Sequence, residues 1–158
     1  MFNVLFLCTG NSKRSIMAEA ILNNRGKDRF RAFSAGSHPK KEVDPNAIEI
    51  IKAAGIEVPS DITPKSWEVF GQEDAPKMDF VITVCDKAKG ELCPVWPGQP
   101  MSAHWGVEDP QEKDGDLREY RDVLRILTTR IQLFTLLKHQ NLSRMKLQQE
   151  MDEIGLKQ

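Results

Sequence analysis

The sequence has few cysteines, no long apolar stretch and no excess of charge of either sign, and each shortage excludes a class of protein. Three cysteines in 158 residues are too few, and odd in number, for a secreted domain held by disulfides. No apolar stretch approaches the ~20 residues that span a bilayer. The 22 basic and 23 acidic residues leave a net charge of −1, which argues against a nucleic-acid-binding protein or a polybasic membrane anchor. We therefore expect no nucleic-acid or membrane partner.

The first seven residues also lack the basic segment and long apolar segment of a signal peptide. This favours a soluble monomer in the cytoplasm, where cysteines stay reduced and serve as thiols, metal ligands or catalytic groups. The length suits one domain, because domains commonly run to ~100–150 residues. Such a chain can bury a core without disulfides or a structural metal.

Short apolar runs alternate with segments of helical periodicity along the chain. Strands are predicted at residues 2–7, 30–35, 78–84 and 101–104, and helices are predicted after residue 14, from Asp44-Pro45 to Gly55, from Leu117 to Phe134 and from Leu142 to Ile154. Alternating strands and helices predict a parallel sheet covered on both faces. We assign this α/β domain to residues 1–140 and a helical tail, polar enough to lie at the surface, to residues 141–158.

The loop between the first strand and the first helix carries the clearest chemical signal. Cys8 and Arg14 are separated by five residues, and a helix follows them. Backbone N–H groups of such a loop converge on one point, and the helix adds its positive N-terminal end. A tetrahedral oxyanion fits there, and the planar guanidinium of Arg14 holds two of its oxygens. The oxyanion-binding residues predicted here are Thr9, Gly10, Asn11, Ser12, Lys13, Arg14 and Ser15.

The same positive field favours thiolate over thiol at Cys8, and the thiolate is the nucleophile. Gly10 and Asn11 tolerate the positive φ that a tight loop needs. Ser15 is placed to donate to the thiolate or to cap the helix, and Lys13 adds positive charge. A coincidental pair of Cys and Arg is the alternative. The strand before the loop and the helix after it favour catalysis.

Residues 4–15 resemble the phosphate-binding loop of low-molecular-weight protein tyrosine phosphatases, and they are still closer to the arsenate reductases built on the same fold. The likeness extends from residue 2 to about residue 135. The further segments that carry it are Met17-Ala18-Glu19-Ala20, Ser34-Ala35-Gly36, Ala53-Ala54-Gly55-Ile56 and the run from His104 to Pro110. The resemblance implies a single α/β domain with a four-stranded parallel sheet and helices on both faces.

Two further cysteines help to separate these two activities. Cys85 and Cys93 follow the third predicted strand, and a phosphatase needs neither. Carboxyl ends of parallel strands share one edge of a sheet, so Cys8 and Cys85 are expected at that edge. Two alternatives remain open for the pair. A metal site is disfavoured by the spacing, and inert buried cysteines are disfavoured by the polar surroundings.

The resemblance to arsenate reductases implies a thiol cascade. Cys8 attacks arsenate, Cys85 attacks the Cys8 sulfur as arsenite leaves, and Cys93 then forms a disulfide with Cys85. An external dithiol restores the enzyme, and thioredoxin is expected for this role, with glutaredoxin as the alternative. No tightly bound cofactor is implied. The resemblance also implies that phosphate and sulfate, as tetrahedral oxyanions, occupy the same loop.

Asp109 matches the general acid of both families, which protonates a leaving oxygen. The alternative is a turn residue, since Asp-Pro commonly begins a turn. In some relatives potassium lies beside the loop, and Asn11, Glu19 and Ser34 match part of that site. One departure is Lys13, which stands where many relatives carry a second cysteine.

Two other functions stay open at this point. One is a phosphatase acting on phosphomonoesters through a Cys8 phosphoenzyme. Its relatives often place an aromatic residue after Asp-Pro, whereas Gln111 follows Pro110 here. The other is a non-enzymatic oxyanion or thiol-redox sensor, which would oxidise Cys8 without turnover.

Overall fold

Four parallel strands form the centre of the protein. The computed structural model describes residues 1–85, 96 and 98–158. The strands are β1 (Phe2–Cys8), β2 (Phe30–Gly36), β3 (Phe80–Thr83) and β4 (Met101–His104). They lie in the order β2-β1-β3-β4, and every neighbouring pair is parallel. The predicted fold class is confirmed.

Four α-helices occur among the described residues: α1 (Arg14–Arg25), α2 (Pro45–Ala53), α3 (Arg118–Leu136) and α4 (Arg144–Ile154). The start of α2 follows the predicted capping chemistry. The Asp44 carboxylate accepts from the backbone N–H of Asn46, and Pro45 occupies the first turn, where its missing N–H costs nothing. Ser143 caps α4 in the same way, by accepting from the N–H of Lys146.

Alternating side chains of β1 point to two separate apolar layers. Val4, Phe6 and Cys8 face the layer that contains the buried sides of all four α-helices. Leu5 and Leu7 face the opposite layer, where a 3-10 helix (Trp67–Gly71) packs. Successive residues of a strand point to opposite faces, so one uninterrupted apolar run fills both layers. Both faces of the sheet are therefore covered.

The 3-10 helix was not predicted from the sequence. Trp67 and Phe70 are its buried residues, and their spacing of three gives too little periodicity to identify an element of five residues. The sheet also begins its third strand two residues later than predicted, at Phe80, although Met78 is buried. Such boundary differences of one or two residues are common because element ends fray.

Helix α4 packs along the edge strand. It lies at the surface, as its polar composition predicts, and its one apolar side enters the core through Leu147, Met151 and Ile154. The indole Nε1 of Trp105 donates to the carbonyl of Met151 at 2.9 Å. These contacts join the end of the chain to the segment that follows β4.

Arg130 of α3 makes a second connection to that segment. Its guanidinium is buried and donates to the carbonyls of Trp105 at 2.8 Å, Gly106 at 3.1 Å and Lys157 at 2.9 Å. Three carbonyl acceptors compensate for the loss of water around the cation. Burial lowers the pKa of Arg130. The backbone before residue 107 is thus tied to the carboxyl-terminal residues.

Among the described residues, no helix is both long enough and apolar enough to span a bilayer.

Candidate active site

Cys8 is the last residue of β1, and the loop after it leads directly into α1. This places the Cys8 thiol at the carboxyl edge of the sheet, in front of the helix N-terminus. The residues around the resulting cleft come from several elements: Cys8, Thr9, Gly10, Ser12, Lys13, Arg14, His38, Lys40, Cys85, Val107, Glu108 and Asp109. Most of them are the residues that the sequence singled out.

The carbonyl groups of the loop are turned away from the cleft by the segment that follows β2. The carbonyls of Thr9, Gly10 and Ser12 accept from the backbone N–H groups of His38, Lys40 and Asp44, at 2.9 to 3.0 Å. In a planar trans peptide the N–H that follows each carbonyl points the opposite way. The amide groups of residues 10, 11 and 13 therefore point to the other side of the loop, where they can bind an anion.

Gly36 lies beneath this loop and leaves no room for a side chain. A Cβ at this position would lie 2.5 Å from the carbonyl oxygen of Thr9, 3.0 Å from the carbonyl oxygen of Cys8 and 3.0 Å from the nitrogen of Asn11. Glycine permits this approach because it has no Cβ. The end of β2 thus supports the loop through backbone contact.

Asn11 fixes the shape of the loop from inside the protein. It is fully buried and adopts a φ of 49°, the left-handed conformation expected for this residue type. Its amide Nδ2 donates to the hydroxyls of Ser15 and Ser34, both at 2.9 Å, and its Oδ1 accepts from the N–H of Lys65 at 2.8 Å. All of these contacts hold the loop and none of them reaches into the cleft.

The pKa of Cys8 is held well below its usual range. The hydrogen bond from the Cys85 thiol is the main cause, and further lowering comes from the Ser15 hydroxyl, the Arg14 charge and the N–H of Asn11. Burial of the sulfur opposes these effects without cancelling them. The environment therefore favours the thiolate, which is the form that attacks an electrophile.

Arg14 is oriented by the segment after β4. Its Nη1 donates to the carbonyl of Val107 at 2.8 Å, and its Nη2 lies 3.9 Å from Oδ1 of Asp109. Its Nε is buried and has no hydrogen-bond partner within the described part of the chain. A buried donor without an acceptor is costly, so this nitrogen is available to an anion in the cleft.

Asp109 stands at the rim of the cleft, with about half of its side chain exposed. Lys13 contacts it directly: the ammonium lies 3.4 Å from Oδ1 of Asp109 and 2.9 Å from the carbonyl oxygen of Pro110. The sequence predicted that Lys13 would add charge to the anion site. In the structure its ammonium is directed to the 107–110 loop.

Cys85 lies beside the Cys8 loop, as the sheet topology predicts. It follows the carboxyl end of β3, it is buried, and its Sγ is 3.6 Å from Oγ1 of Thr9. Cys8 and Cys85 are both reduced. Cys93 lies outside the described residues, so the geometry bears on the first two thiols of the predicted relay and not on the third.

The residues predicted for potassium are joined by hydrogen bonds. The hydroxyl of Ser34 accepts from Asn11 and donates to Oε1 of Glu19 at 2.8 Å. Burial raises the pKa of Glu19, although the hydrogen bond from Ser34 opposes the change. Within the described ranges, no group of three or more His, Cys, Asp or Glu side chains is arranged to hold a metal ion.

Several contributors to the site carried no signal in the sequence. Lys65 holds Asn11 through its backbone N–H and accepts from the N–H of Gly36 through its carbonyl. Tyr120 donates to Asp44 behind the loop at 2.7 Å. The contact of Lys65 with Asn11 joins residues 54 positions apart, and that of Tyr120 with Asp44 joins residues 76 positions apart. A spacing rule that works on neighbouring residues cannot predict such contacts.

Comparison with known proteins agrees with this geometry. Residues 3–148 match the sequence pattern of the family described as low molecular weight phosphotyrosine protein phosphatase. An arsenate reductase of Halalkalibacterium halodurans is 37% identical over 122 residues, which is 77% of this chain and 84% of that protein.

Two solved structures extend the comparison. An arsenate reductase in the phosphate binding state has a TM-score of 0.71 and 30% identity, covering 85% of this chain and 97% of the other. The thioredoxin-dependent arsenate reductase of Corynebacterium glutamicum has a TM-score of 0.62 and 27% identity, covering 84% of this chain and 59% of the other. The matched residues 3–148 include the Cys8 loop, all but the first residue of the four strands, and the 107–110 loop. Because the match covers most of the chain, the protein belongs to the low molecular weight phosphotyrosine protein phosphatase family.

Proposed function

We propose that the protein reduces arsenate to arsenite through a relay of Cys8, Cys85 and Cys93 that an external dithiol regenerates. One observation carries the proposal: a second buried thiol, Cys85, lines the same cleft as Cys8, with its Sγ 3.6 Å from the Thr9 hydroxyl of the anion-binding loop. Phosphoester hydrolysis uses a single thiolate and has no role for this neighbour. The 37% identical relative from Halalkalibacterium halodurans, an arsenate reductase, supports the same reaction.

The first step is attack by the Cys8 thiolate on arsenate. Loop amides hold the oxyanion together with the Nε of Arg14, which is a buried donor without an acceptor among the described residues. A bond forms between the Cys8 sulfur and arsenic while one As–O bond breaks. Asp109 gives its proton to the departing oxygen, which leaves as water.

The second step transfers two electrons to arsenic. Cys85 gives up its thiol proton, which passes to an oxygen of the departing arsenite, and its sulfur attacks the Cys8 sulfur, so an S–S bond forms and the S–As bond breaks. The electron pair of that bond remains on arsenic, which passes from As(V) to As(III) and leaves as arsenite. Cys8 and Cys85 are oxidised together to a disulfide, and no other electron donor is needed. The contact between the two thiols supports this direct exchange.

The third step moves the disulfide away from the anion site. Cys93 attacks Cys85, releases the Cys8 thiolate and forms a Cys85–Cys93 disulfide, which thioredoxin then reduces. This step is proposed from the sequence. The related enzyme of Corynebacterium glutamicum is described as thioredoxin-dependent, which favours thioredoxin over glutaredoxin. Phosphate and sulfate are expected to compete with arsenate, because the loop offers amide donors to any tetrahedral oxyanion.

A potassium ion is proposed beside the loop, held by oxygens of Asn11, Glu19 and Ser34. Glu19 is buried and its Oε1 accepts from the Ser34 hydroxyl at 2.8 Å, so a cation beside these oxygens would compensate the charge that burial disfavours. The ion would supply positive charge next to the hydrogen bonds that position Asn11 and so stiffen the loop. Melting temperature measured in potassium and in sodium chloride at equal ionic strength tests this site.

The function is tested by arsenate-dependent oxidation of NADPH, with the thioredoxin system and the glutaredoxin–glutathione system supplied in separate assays. We expect turnover with thioredoxin and its thioredoxin reductase. Turnover only with glutaredoxin and glutathione would assign the other reductant. Oxidation of Cys8 without arsenite release in either assay would refute the reductase function and favour a redox sensor.

A further inference from the structure

We infer that Lys13 is a positioning residue, which holds the 107–110 loop and its Asp109 carboxylate over the Cys8 thiolate. The inference rests on the proposed function, in which Asp109 protonates the departing oxygen. It assigns Lys13 a positional role: the ammonium stabilises ionised Asp109 and so does not itself promote proton transfer, but it sets where the carboxyl group stands. Binding of arsenate is left to the neighbouring donors.

The ammonium of Lys13 contacts two groups of the 107–110 loop. It donates to the carbonyl oxygen of Pro110 at 2.9 Å and lies 3.4 Å from Oδ1 of Asp109. One contact fixes the backbone at the end of the loop, and the other fixes the carboxylate itself. A single cation thereby restrains both the position and the direction of Asp109.

The opposite side of Lys13 is anchored to two helices. Its ammonium lies 3.8 Å from Oδ2 of Asp44, the residue that caps α2, and 5.4 Å from the ring centroid of Tyr120 on α3. The Tyr120 hydroxyl donates to the same oxygen of Asp44 at 2.7 Å. The Asp44 N–H in turn donates to the carbonyl of Ser12, one residue before Lys13. Lys13 is therefore held rigidly enough to position a loop.

The charge on Lys13 is retained in this setting. Burial alone would lower its pKa, yet the Asp109 carboxylate and the Tyr120 hydroxyl group outweigh burial and raise it. The side chain is mostly shielded from solvent, so the pairing is screened less than an ordinary surface ion pair.

Lys13 also leaves Arg14 available for the anion. Arg14 spends its Nη1 on the carbonyl of Val107, and its Nη2 is 3.9 Å from Asp109, which is farther than Lys13. Its Nε stays unpaired among the described residues. Lys13 and Arg14 thus have different roles. Lys13 restrains the 107–110 loop, and Arg14 is left to bind the oxyanion.

The experiment measures arsenite released in a single turnover of pre-reduced protein, without thioredoxin, so that regeneration does not limit the rate. The variants are Lys13→Met, Lys13→Arg, Asp109→Asn and the double variant Lys13→Met with Asp109→Asn. Lys146→Met is the matched control, because Lys146 forms a 3.1 Å pair with Glu150 far from the cleft. Circular dichroism and inhibition by inorganic phosphate are measured for each variant.

We expect Asp109→Asn to slow the maximal rate about 100-fold and Lys13→Met about tenfold, since loss of a general acid costs ~10²–10⁴. The double variant should be no slower than Asp109→Asn, because Lys13 acts through Asp109. Lys13→Arg keeps a cation and should recover most of the rate. Phosphate inhibition should change less than about twofold in Lys13→Met, because the anion donors are intact.

Three results would overturn the inference: an unchanged rate in Lys13→Met, a double variant slower by the product of the single effects, or phosphate inhibition weakened as much as the rate. An unchanged rate in Asp109→Asn would remove the acid role of Asp109, and the inference with it. Arsenite release by the unaltered protein tests the reductase function separately from all of these.

Discussion

The environment at one end of the central sheet favours an ionised side chain, and the environment at the other end favours a neutral one. At the carboxyl edge, hydrogen bonds and Arg14 lower the pKa of Cys8 and so favour a negative charge on a buried sulfur. At the other end, burial and the charge of Arg29 lower the pKa of His139 and so favour a neutral ring. The pKa is lowered in both cases. A lowered pKa favours the negatively charged thiolate at Cys8, but it favours the uncharged ring at His139, because the protonated form of histidine is the charged one.

The surroundings explain the difference. Cys8 is surrounded by donors: the Cys85 thiol, the Ser15 hydroxyl and a backbone N–H. The ring centroid of His139 lies 4.8 to 5.6 Å from those of four phenylalanines: Phe2, Phe30, Phe80 and Phe134. Aromatic rings exclude water and offer no hydrogen-bonding donors or acceptors of full strength. The thiols and the cation of the candidate site thus lie at one end of the sheet, and aromatic rings fill the opposite end.

The largest effect on activity is expected when the nucleophile at the carboxyl edge is replaced. Cys8→Ser should abolish arsenite release, because a serine hydroxyl has a far higher pKa than a thiol and stays un-ionised at neutral pH, whereas the loop stabilises a thiolate. Arsenite measured after arsenate addition is the readout, and thermal unfolding is the check on the fold. Retained turnover would remove Cys8 from the reaction.

Replacing the other two cysteines separates the electron transfer from the regeneration. Cys93→Ser should release about one arsenite per protein and then stop with a Cys8–Cys85 disulfide, since those two thiols supply both electrons. Cys85→Ser should release none unless a small thiol is added. Single-turnover assays and non-reducing peptide mapping give the result. Sustained thioredoxin-dependent turnover by Cys93→Ser would show that another thiol resolves the disulfide.

A methyl group added at Gly36 tests how tightly the end of β2 packs against the Cys8 loop. Gly36→Ala puts a Cβ 2.5 Å from the Thr9 carbonyl, so the loop backbone must move. We expect about 1–3 kcal/mol of lost stability and at least a tenfold fall in arsenate reduction. Gly115→Ala is the control, because Gly115 has a φ of 81° and open space around it. The control should lose stability alone. Full activity in Gly36→Ala would show that the loop tolerates the displacement.

The smallest effect is expected at the opposite end of the sheet. The fold favours neutral His139, so as pH falls through the usual titration range of histidine the unfolded chain binds more protons and the free energy of unfolding decreases. His139→Leu should remove this part of the acid sensitivity, because leucine does not titrate. Urea unfolding at neutral and acidic pH measures it. Equal pH dependence in both proteins would contradict the assignment, and arsenate reduction should be unchanged.

The sequence is informative where structure is local or follows from strand alternation. The strand, loop and helix around Cys8 lie within residues 2–25, and each has its own periodicity, so their order was predictable. The proximity of Cys85 to Cys8 followed from the rule that parallel strands end at one edge, without any knowledge of side-chain packing. Both expectations needed only the alternation of strands and helices, which predicts a parallel sheet.

The direction of Lys13 was not predictable in the same way. Its partners Asp44, Asp109 and Tyr120 come from three separate elements, and only the packing of α2 and α3 against α1 brings them together. A positive residue in an anion-binding loop is expected to face the anion, and here the carboxylates on the outer side compete for it. The contact of Gly36 with the loop is equally non-local, because β2 must reach its register with β1 before it exists.

Arg130 joins the carboxyl-terminal residues to the backbone beside the cleft through hydrogen bonds. The family pattern ends at residue 148, yet Arg130 links the carbonyl of Lys157 to those of Trp105 and Gly106, directly before the 107–110 loop. One buried side chain therefore holds both the carboxyl-terminal residues and the backbone that enters the 107–110 loop. Residues outside the shared family pattern thus belong to the scaffold that supports the loop bearing Asp109.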